Sequence, residues 1–298
     1  MNYQHIPKVF IILVNYNGTK DTVECIKSLN QIDDTSYEII VVDNASNDVE
    51  QLEKELADFN FVKLLKSKNN LGFAGGNNVG IRYAMEHNAD YVLLLNNDTV
   101  VEKDFLGELV YVAEKNPNAG IVTGKILFHS VPDHIWFAGG EMNLNRARTH
   151  HLESGKIDTK MGEVKEISFV TGCLMLISKK ALETVGMLDD TYFMYSEDVD
   201  YCCRMRNSNF IMLYTSKSVI YHKISASTGG NGSPFSQYYR TRNDLRVISR
   251  YADKKVLAYV FFGLRLIKRN IVGQFQVKYT FDGLKAYLRG EDGRASKL

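Results

Sequence analysis

The chain has 298 residues, and its 36 basic and 35 acidic side chains leave a formal net charge of +1. Apolar residues make up 45% of the chain and charged residues 24%, values that fit a globular protein and exclude a largely disordered one. The near-neutral charge gives no support for a nucleic-acid-binding protein, which would carry a basic excess.

Short apolar runs alternate with amphipathic stretches in the first half of the chain. The runs at 9–14, 38–42, 61–65 and 91–95 are rich in Val, Ile and Leu, as strands buried on both faces are. Between them, the segments 21–29, 48–59 and 78–87 have apolar residues at helical spacing. This order predicts an α/β fold with a mostly parallel sheet, whose ligands bind at the carboxyl ends of the strands.

The second half of the chain is less regular. We predict strands at 121–128, 167–178, 210–214 and 218–222, and short helices at 179–185 and 199–207. A polar loop at 143–166 separates the two halves. From about residue 236 to the end, the chain is predicted to be helical.

Polar clusters follow each of the four predicted N-terminal strands. They are Asn15-Tyr16-Asn17-Gly18, the segment 43–48, the segment 69–78 and Asn96-Asn97-Asp98. Each cluster alone is typical of a turn. Four clusters at the same edge of a parallel sheet instead indicate a binding site for a ligand with a base, a sugar and charged groups.

The segment 69–78 is rich in glycine but matches neither common phosphate-binding motif. It has no GKS or GKT, and no GxGxxG follows the first strand. We therefore expect a loop in which Gly72, Gly75 and Gly76 pass close under a ligand. Asn77 and Asn78 can then supply amide contacts.

Asp98 and His222 are candidate metal ligands. Asp98 ends an otherwise apolar strand, where a carboxylate must meet solvent, a cation or a partner. One carboxylate plus diphosphate oxygens is a common arrangement around magnesium or manganese. His222 ends another predicted strand, and imidazole is a good manganese ligand, although a structural histidine is the alternative.

The acidic pair Glu197-Asp198 is a candidate general base. Ser196 can cap a helix, and carboxylates in a first helical turn favour the helix dipole, which is the structural alternative. However, the pair directly follows aromatic residues at 193–195, and such surroundings can raise a carboxyl pKa towards that of a useful base. Further on, Arg240 and Arg242 offer guanidinium groups that suit phosphate, with a solvated helix face as the alternative.

The C-terminal segment 253–298 is basic, with ten basic and four acidic residues. Within it, the apolar run 256–264 is followed by Arg265, Lys268 and Arg269. This run is too short to span a bilayer, but it can lie in a membrane interface, and a helical hairpin that packs on the catalytic domain or on a second subunit is the alternative.

The N-terminus and the cysteines predict a cytoplasmic protein. The first residues lack a basic start and a long apolar run, so no secretory signal is expected. The four cysteines have no CxxC spacing and indicate neither a zinc site nor a disulfide framework. A place on the inner face of the cytoplasmic membrane would agree with the basic C-terminal segment.

Taken in order, these segments resemble the family 2 glycosyltransferases with the GT-A fold, and most closely the bacterial rhamnosyltransferase-like branch, which builds cell-surface polysaccharides. The matching pieces are VNYNG (14–18), VVDNASND (41–48), NLGFAGGNNVG (70–80), LLLNNDT (93–99), GC (172–173), YSEDVDYCCR (195–204), YHK (221–223) and YYRTRN (238–243). The resemblance implies a Rossmann-like, mostly parallel central sheet flanked by helices, followed by a C-terminal helical extension.

The resemblance also implies roles for individual residues. Asp198, in the pair with Glu197, would be the catalytic base. Asp98 would hold a Mn²⁺ or Mg²⁺ ion that His222 approaches, although Asn96 stands where such enzymes have the first aspartate of their metal motif. The implied contacts with the nucleotide-sugar are Asn15, Tyr16, Asn17, Asp43, Asn44, Gly72, Gly75, Asn77, Asn97 and Arg242.

The implied reaction is an inverting transfer of a sugar from a nucleotide-diphosphate donor to a hydroxyl of a saccharide or lipid-linked acceptor. The branch suggests rhamnose on a thymidine diphosphate carrier. The catalytic domain would span residues 1–235, with the nucleotide-sugar half up to about 130 and the acceptor half after it. Residues 236–298 would form the helical segment.

Two other functions remain open from the sequence. A sugar nucleotidyltransferase also binds nucleotides on a Rossmann-like half, but it should carry a glycine-rich loop with Arg and Lys after the first strand, and NYNG has neither. A non-catalytic nucleotide-sugar-binding or scaffold protein would not need the pair Glu197-Asp198.

Overall fold

The computed structural model describes residues 6–32, 36–159, 162–224 and 232–295. Strands and helices alternate along the first part of the chain. The strands are β1 (Val9–Asn15), β2 (Tyr37–Asp43), β3 (Val62–Lys66) and β4 (Tyr91–Leu95), and the helices are α1 (Thr19–Leu29), α2 (Val49–Leu56) and α3 (Gly72–Glu86). The four predicted strands therefore lie within one residue of their predicted ends.

The rest of the chain adds eight strands and six helices to the described structure. The strands are β5 (Thr99–Val101), β6 (Ala119–Phe128), β7 (Val131–Phe137), β8 (Gly140–Asn143), β9 (Arg148–His151), β10 (Val164–Ile167), β11 (Leu174–Ser178) and β12 (Ile211–His222). The helices are α4 (Phe105–Lys115), α5 (Lys179–Val185), α6 (Glu197–Asn207), α7 (Pro234–Tyr251), α8 (Lys255–Ile271) and α9 (Val277–Leu288).

One mixed sheet forms the centre of the fold. Its order is β10-β12-β6-β11-β4-β1-β2-β3, with β5 and β7 paired at the side. The strands β1 to β4 run parallel to one another, whereas β11 runs antiparallel between β4 and β6. The predicted fold class, a mostly parallel sheet flanked by helices with a helical C-terminal part, is confirmed.

The glycine-rich segment 72–80 differs from its prediction, because it is helical. We predicted a loop followed by a helix from residue 78, but α3 begins at Gly72. Two of its glycines let this helix lie directly on β1: a Cβ at Gly76 would come 2.8 Å from Val14 Cγ1, and one at Gly80 would come 2.6 Å from Ile12 Cγ2. Close packing on the sheet therefore outweighs the low helix propensity of glycine.

Three boundaries in the second half also differ from prediction. The strand predicted at 167–178 is two strands, β10 and β11, because residues 168–173 leave the sheet and run towards a cavity. The strands predicted at 210–214 and 218–222 are one strand, β12, with an irregularity between Thr215 and Val219. The polar segment 143–166 contains β9, which pairs with β8 as a hairpin.

The C-terminal helices pack on the preceding part of the chain. Ser233 caps α7 by accepting a hydrogen bond from Ser236 N, and Pro234 opens the helix. Helix α9 crosses α7 so closely that a Cβ at Gly283 would lie 2.6 Å from Tyr238 O. None of the described helices is both long enough and apolar enough to cross a bilayer.

Candidate active site

A large cavity of about 1170 Å³ opens at the carboxyl ends of β1 and β4 and extends to α7 and α8. Most of the predicted site residues line it: Tyr16, Asn17, Asn44, Gly72, Asn77, Asn97, Asp98, Glu197, Asp198 and His222. Four predicted residues do not line it: Asn15, Asp43, Gly75 and Arg242. The fold thus brings polar segments that are far apart in sequence to one place.

Asn15 and Asp43 lie just beneath the rim of the cavity, where they hold two loops together. Asn15 Nδ2 donates to Asp43 Oδ1 at 3.1 Å, and Asn15 Oδ1 accepts from Gly18 N and Thr22 Oγ1. The second oxygen of Asp43 accepts from Ser46 N at 3.1 Å. Both residues are buried. Their contact with a nucleotide stays a prediction, and in this structure they shape the rim.

Asn44 joins the second and third polar segments. Its Oδ1 accepts from Leu71 N at 2.9 Å, and its Nδ2 donates to Gly72 O at 3.0 Å. The side chain therefore fixes the start of α3 beside the cavity. Gly75 lies one turn further along this helix, where a Cβ would meet Leu71 Cβ at 2.7 Å. Its small size serves packing within the helix.

Gly72 connects the nucleotide side of the cavity to the acidic pair. It has a φ of +72°, and a Cβ here would lie 2.1 Å from Phe193 O. That same carbonyl oxygen accepts a hydrogen bond from Phe73 N at 2.7 Å. Helix α3 thus rests directly on the backbone that leads into α6.

We expect Gly72→Ala to destabilise the fold by about 2 kcal/mol or more, because alanine disfavours a left-handed backbone and its Cβ would displace the backbone at Phe193. Thermal or urea unfolding measures the loss, and activity should fall with it. Gly263→Ala is the matched control, because nothing lies within 4 Å of a Cβ there. Equal stability of the two variants would contradict this packing.

The turn before α6 is held in an unusual backbone conformation. Phe193, Tyr195 and Ser196 have φ values of 63°, 69° and 68°. Asn243 Nδ2 lies within 2.9 Å of the carbonyl oxygens of Tyr192, Met194 and Tyr195. This amide on α7 therefore clamps the turn that presents the acidic pair to the cavity.

Arg242 also holds the backbone at this turn in place, and it does not line the cavity. Its side chain is fully buried, and its guanidinium donates to Tyr192 O at 2.8 Å and to Gly293 O at 2.9 Å. The ring of Tyr239 lies 4.8 Å from the guanidinium carbon. The prediction that Arg242 holds the diphosphate is therefore corrected: its guanidinium already donates to backbone carbonyls and to Asn243 Oδ1.

Arg240 is the arginine of this motif that lines the cavity. Its guanidinium carbon lies 4.2 Å from the centre of the Tyr195 ring, so the side chain runs along the clamped turn. Its positive charge also acts to lower the pKa values of both Glu197 and Asp198. Arg240 therefore lies close to the acidic pair and faces the space that a ligand would fill.

Glu197 is buried and Asp198 is half-buried, and both carboxyl groups have raised pKa values. Asp198 Oδ2 accepts from Gly172 N at 3.2 Å, and Oδ1 accepts from Val199 N at 2.8 Å. Burial raises the pKa of Asp198 above its ordinary value despite these bonds. Burial, together with the charge of Asp198, raises the pKa of Glu197 to about 8. Two backbone amides stabilise the charged form of Asp198, whereas Glu197 Oε2 is buried without a hydrogen-bond partner among the described residues, so the hydrogen bonding favours the negative charge on Asp198.

Two neighbours of the pair have structural roles. The sequence suggested that Ser196 caps α6, but its side chain makes no capping hydrogen bond. Its hydroxyl instead donates to Asp244 Oδ1 at 2.9 Å. Asp200 is fully buried and accepts hydrogen bonds from the Tyr192 and Tyr251 hydroxyls and from Arg204. It ties α6 to α7 and takes no part in the cavity.

Asp98 and His222 meet at the other side of the cavity. His222 Nε2 lies 3.1 Å from Asp98 Oδ1, and both side chains are nearly buried. Burial alone would lower the pKa of His222, but Cys173 and Asp98 beside it raise that pKa to about 10. Trp136 packs edge-on against the imidazole, with ring centres 4.7 Å apart, and also lines the cavity.

Within the described ranges, no group of three or more His, Cys, Asp or Glu side chains is arranged to hold a metal ion. Asp98 and His222 therefore supply two protein ligands at most. His222 Nδ1 is a buried nitrogen that has no hydrogen-bond partner among the described residues. A cation bound here would displace the proton that the raised pKa favours on His222, and it would take its remaining ligands from a bound phosphate group.

Comparisons with known proteins identify the family of the chain. The model of the family described as "Glycosyl transferase family 2" matches residues 10–186. The chain is 30% identical over 209 residues to the low-salt glycan biosynthesis hexosyltransferase Agl10 of Haloferax volcanii, covering 67% of this chain and 62% of that protein. It is 25% identical over 242 residues to the dTDP-rhamnosyl transferase RfbF of Shigella flexneri, covering 79% and 78%.

A solved structure has the same fold. The crystal structure of GalNAc-T7 with UDP, GalNAc and Mn²⁺ superposes with a TM-score of 0.69 at 15% sequence identity. The superposition covers 96% of this chain and 56% of that one. At this identity the similarity concerns the fold alone, and it supports the GT-A architecture predicted from the sequence.

Proposed function

Because the chain belongs to glycosyl transferase family 2, we propose that it transfers a glycosyl group from a nucleoside-diphosphate sugar to an acceptor hydroxyl with inversion at the anomeric carbon. The observation that carries this proposal is the acidic pair on the cavity wall, in which Asp198 is positioned by two backbone amides and has a raised pKa. A carboxylate in that state can accept a proton from a hydroxyl.

The roles of the two carboxyl groups follow from their hydrogen bonds. Two backbone amides favour the charged form of Asp198, so Asp198 carries the negative charge of the pair and Glu197 the proton. As the acceptor oxygen attacks the anomeric carbon, Asp198 takes its proton, and the bond from that carbon to the diphosphate breaks. No covalent enzyme intermediate is needed in this single displacement.

The departing diphosphate needs positive charge, and Arg240 is the described arginine of the YYRTRN motif that can supply it. It lines the cavity beside the acidic pair, whereas Arg242 is buried. A charged hydrogen bond from a guanidinium to phosphate strengthens as negative charge develops there. We assign Arg240 this role in place of Arg242.

We also propose that Asp98 and His222 hold a divalent cation, Mn²⁺ or Mg²⁺. Their atoms lie 3.1 Å apart at the cavity wall, and the nucleotide diphosphate would complete the coordination. A cation held there would neutralise charge on the leaving diphosphate. The amide of Asn96, whose Nδ2 lies 3.4 Å from His222 Nε2, stands where a second carboxylate would strengthen the site.

The donor and acceptor are proposed from the relatives. RfbF is named as a dTDP-rhamnosyl transferase, so we propose a rhamnosyl group on a thymidine diphosphate carrier. The acceptor is a saccharide or lipid-linked saccharide of a surface polysaccharide.

The chain spans 62% of the length of the Haloferax volcanii hexosyltransferase. We further propose residues 1–235 as the catalytic domain and 236–298 as a helical segment added to it.

Release of nucleoside diphosphate from a panel of nucleotide-sugars tests this function. Purified protein with Mn²⁺ should hydrolyse its preferred nucleotide-sugar slowly and faster when the correct acceptor is added. A non-catalytic binding protein would raise its melting temperature with the nucleotide-sugar but release no diphosphate. A sugar nucleotidyltransferase would form pyrophosphate from a nucleoside triphosphate, but the loop after β1 has no basic residue to hold one.

Asp98→Ala should weaken nucleotide-sugar binding by about tenfold or more in Mn²⁺ but only slightly in EDTA, because the carboxylate acts through the cation. Isothermal titration in the two buffers measures the difference. His222→Ala should act in the same direction with a smaller effect. Equal losses with and without Mn²⁺ would assign Asp98 a purely structural role.

A further inference from the structure

Helix α8 has an apolar stripe that nothing in the described structure covers. The stripe consists of Val256, Val260, Leu264, Ile267 and Ile271, which follow one another at steps of three or four residues and so lie on one side of the helix. Their exposed fractions run from 53% to 79%. We call this set the α8 stripe.

The α8 stripe lies on the face of the helix that points away from the protein. Ala258 and Phe262 on the opposite face are buried and form part of the C-terminal core. Arg265 and Arg269, one turn apart, line the active-site cavity. One face of the helix therefore packs on the protein and borders the cavity, and the opposite face is exposed to solvent.

The exposed apolar residues are concentrated in this region. Of the twenty large apolar residues that are exposed in the described chain, eleven lie between residues 256 and 288. On α9, Val277 and Phe281 are also exposed, one turn apart. A contiguous patch of this kind marks a site of association with another surface.

The charges around the α8 stripe are mainly basic, with the exposed Asp253 as the acidic residue next to the start of α8. Helix α8 contains no acidic residue, and exposed lysines lie at both ends of the stripe: Lys254, Lys255 and Lys268. Helix α9 adds the exposed Lys278 and Lys285. A two-fold dimer through this patch would bring the basic edges of two copies into one interface, where most of the charges have the same sign and repel one another. An anionic surface complements both the apolar and the charged parts.

We propose that the α8 stripe inserts into the interface of an anionic lipid bilayer, with the surrounding lysines on the headgroups. An apolar helix face with basic edges is the pattern of interfacial helices. Because Arg265 and Arg269 lie on the opposite face of the same helix, docking would place the cavity about one helix diameter, roughly 10 Å, from the membrane surface. The saccharide of a lipid-linked acceptor could then extend past the helix to Asp198 while its lipid stays in the bilayer, a consequence that rests on the proposed function, whereas the docking does not.

Sedimentation with vesicles tests the docking. Full-length protein should sediment with vesicles of phosphatidylcholine containing about one third phosphatidylglycerol at low salt. Binding should weaken at high salt, which screens the lysines, and should be much weaker with pure phosphatidylcholine. The double variant Val260→Glu/Ile267→Glu should lose about tenfold or more in vesicle affinity, since it places two carboxylates in the stripe.

Tyr111→Glu provides the matched control, because Tyr111 is 60% exposed on α4, away from the C-terminal helices. This variant should bind vesicles as the unchanged protein does. Unaltered melting temperature and unaltered diphosphate release by the double variant would show that it folds. If diphosphate release fails in every variant while vesicle binding holds, the proposed function fails and the docking stands.

Two results would overturn the docking. The first is absence of binding to anionic vesicles at low salt. The second is a dimer, seen by size-exclusion chromatography with light scattering, that the double variant converts to a monomer; this outcome would assign the α8 stripe to a second copy of the chain.

Discussion

Asp198→Asn is expected to lower glycosyl transfer by about two orders of magnitude or more, the usual scale for loss of a general base. Asparagine keeps the size of the side chain, and its amide oxygen can still accept from Gly172 N, but it cannot take a proton from the acceptor hydroxyl. The effect should appear in kcat, while nucleotide-sugar affinity measured by titration changes little.

Glu197→Gln is the matched comparison for Asp198→Asn. Burial and the neighbouring charge of Asp198 raise the pKa of Glu197 and favour its protonated form, which glutamine resembles, so this variant should preserve most of the activity. The raised pKa of Asp198 also means that activity should increase with pH as this group ionises, and the increase should persist in Glu197→Gln. A loss in Glu197→Gln as large as that in Asp198→Asn would move the base to Glu197.

Arg240→Gln is expected to lower kcat/KM for the nucleotide-sugar by about tenfold to a hundredfold. A hydrogen bond to a charged group contributes about 1.5–3 kcal/mol, and this one should strengthen as the diphosphate leaves. Steady-state kinetics with the preferred nucleotide-sugar measures the loss. Arg240→Lys keeps the charge and should restore part of the activity.

Arg242→Gln serves as the contrast to Arg240→Gln. The guanidinium of Arg242 satisfies buried carbonyls of Tyr192 and Gly293, so its loss should appear mainly as a lower melting temperature. Arg240→Gln should leave the melting temperature nearly unchanged. If Arg242→Gln folds normally and loses nucleotide-sugar affinity, whereas Arg240→Gln does not, the original assignment to Arg242 would be restored.

The fold and the family could be predicted because the strongest signals in the chain are local. The strands β1 to β4 are continuous apolar runs, and polar segments follow them directly at one edge of the sheet. The ordered motifs predicted family 2, which the family match confirms, and the similarity to RfbF agrees with the predicted rhamnosyltransferase-like branch. Neither inference depended on contacts between distant residues.

The helix at Gly72 could not be predicted in the same way, because glycine disfavours helices and favours loops. Its helical state depends on packing against Val14 and Ile12, which are distant in sequence. The same limit applies to β10 and β11, where a single apolar run is divided by residues that run towards the cavity. Tertiary packing decides these boundaries.

Which of Arg240 and Arg242 faces the cavity depends on how α7 is oriented about its own axis. Residues two positions apart on an α-helix are separated by about 200° around its axis, so the guanidinium groups of Arg240 and Arg242 point to nearly opposite sides of α7. The sequence identified the motif YYRTRN but not which side faces the cavity. The signal that could have separated them is the neighbouring Asn243, which shares the buried face with Arg242.

The left-handed turn at Phe193, Tyr195 and Ser196 has a consequence for how the site evolves. Non-glycine residues in this conformation each cost about 1–2 kcal/mol, and that cost is incurred when the chain folds. The acidic pair is thereby preorganised, so little rearrangement remains for each turnover. Glycine at Tyr195 or Ser196 would relieve the strain but loosen the preorganised pair. Selection for thermal robustness and selection for rate therefore act in opposite directions on this turn.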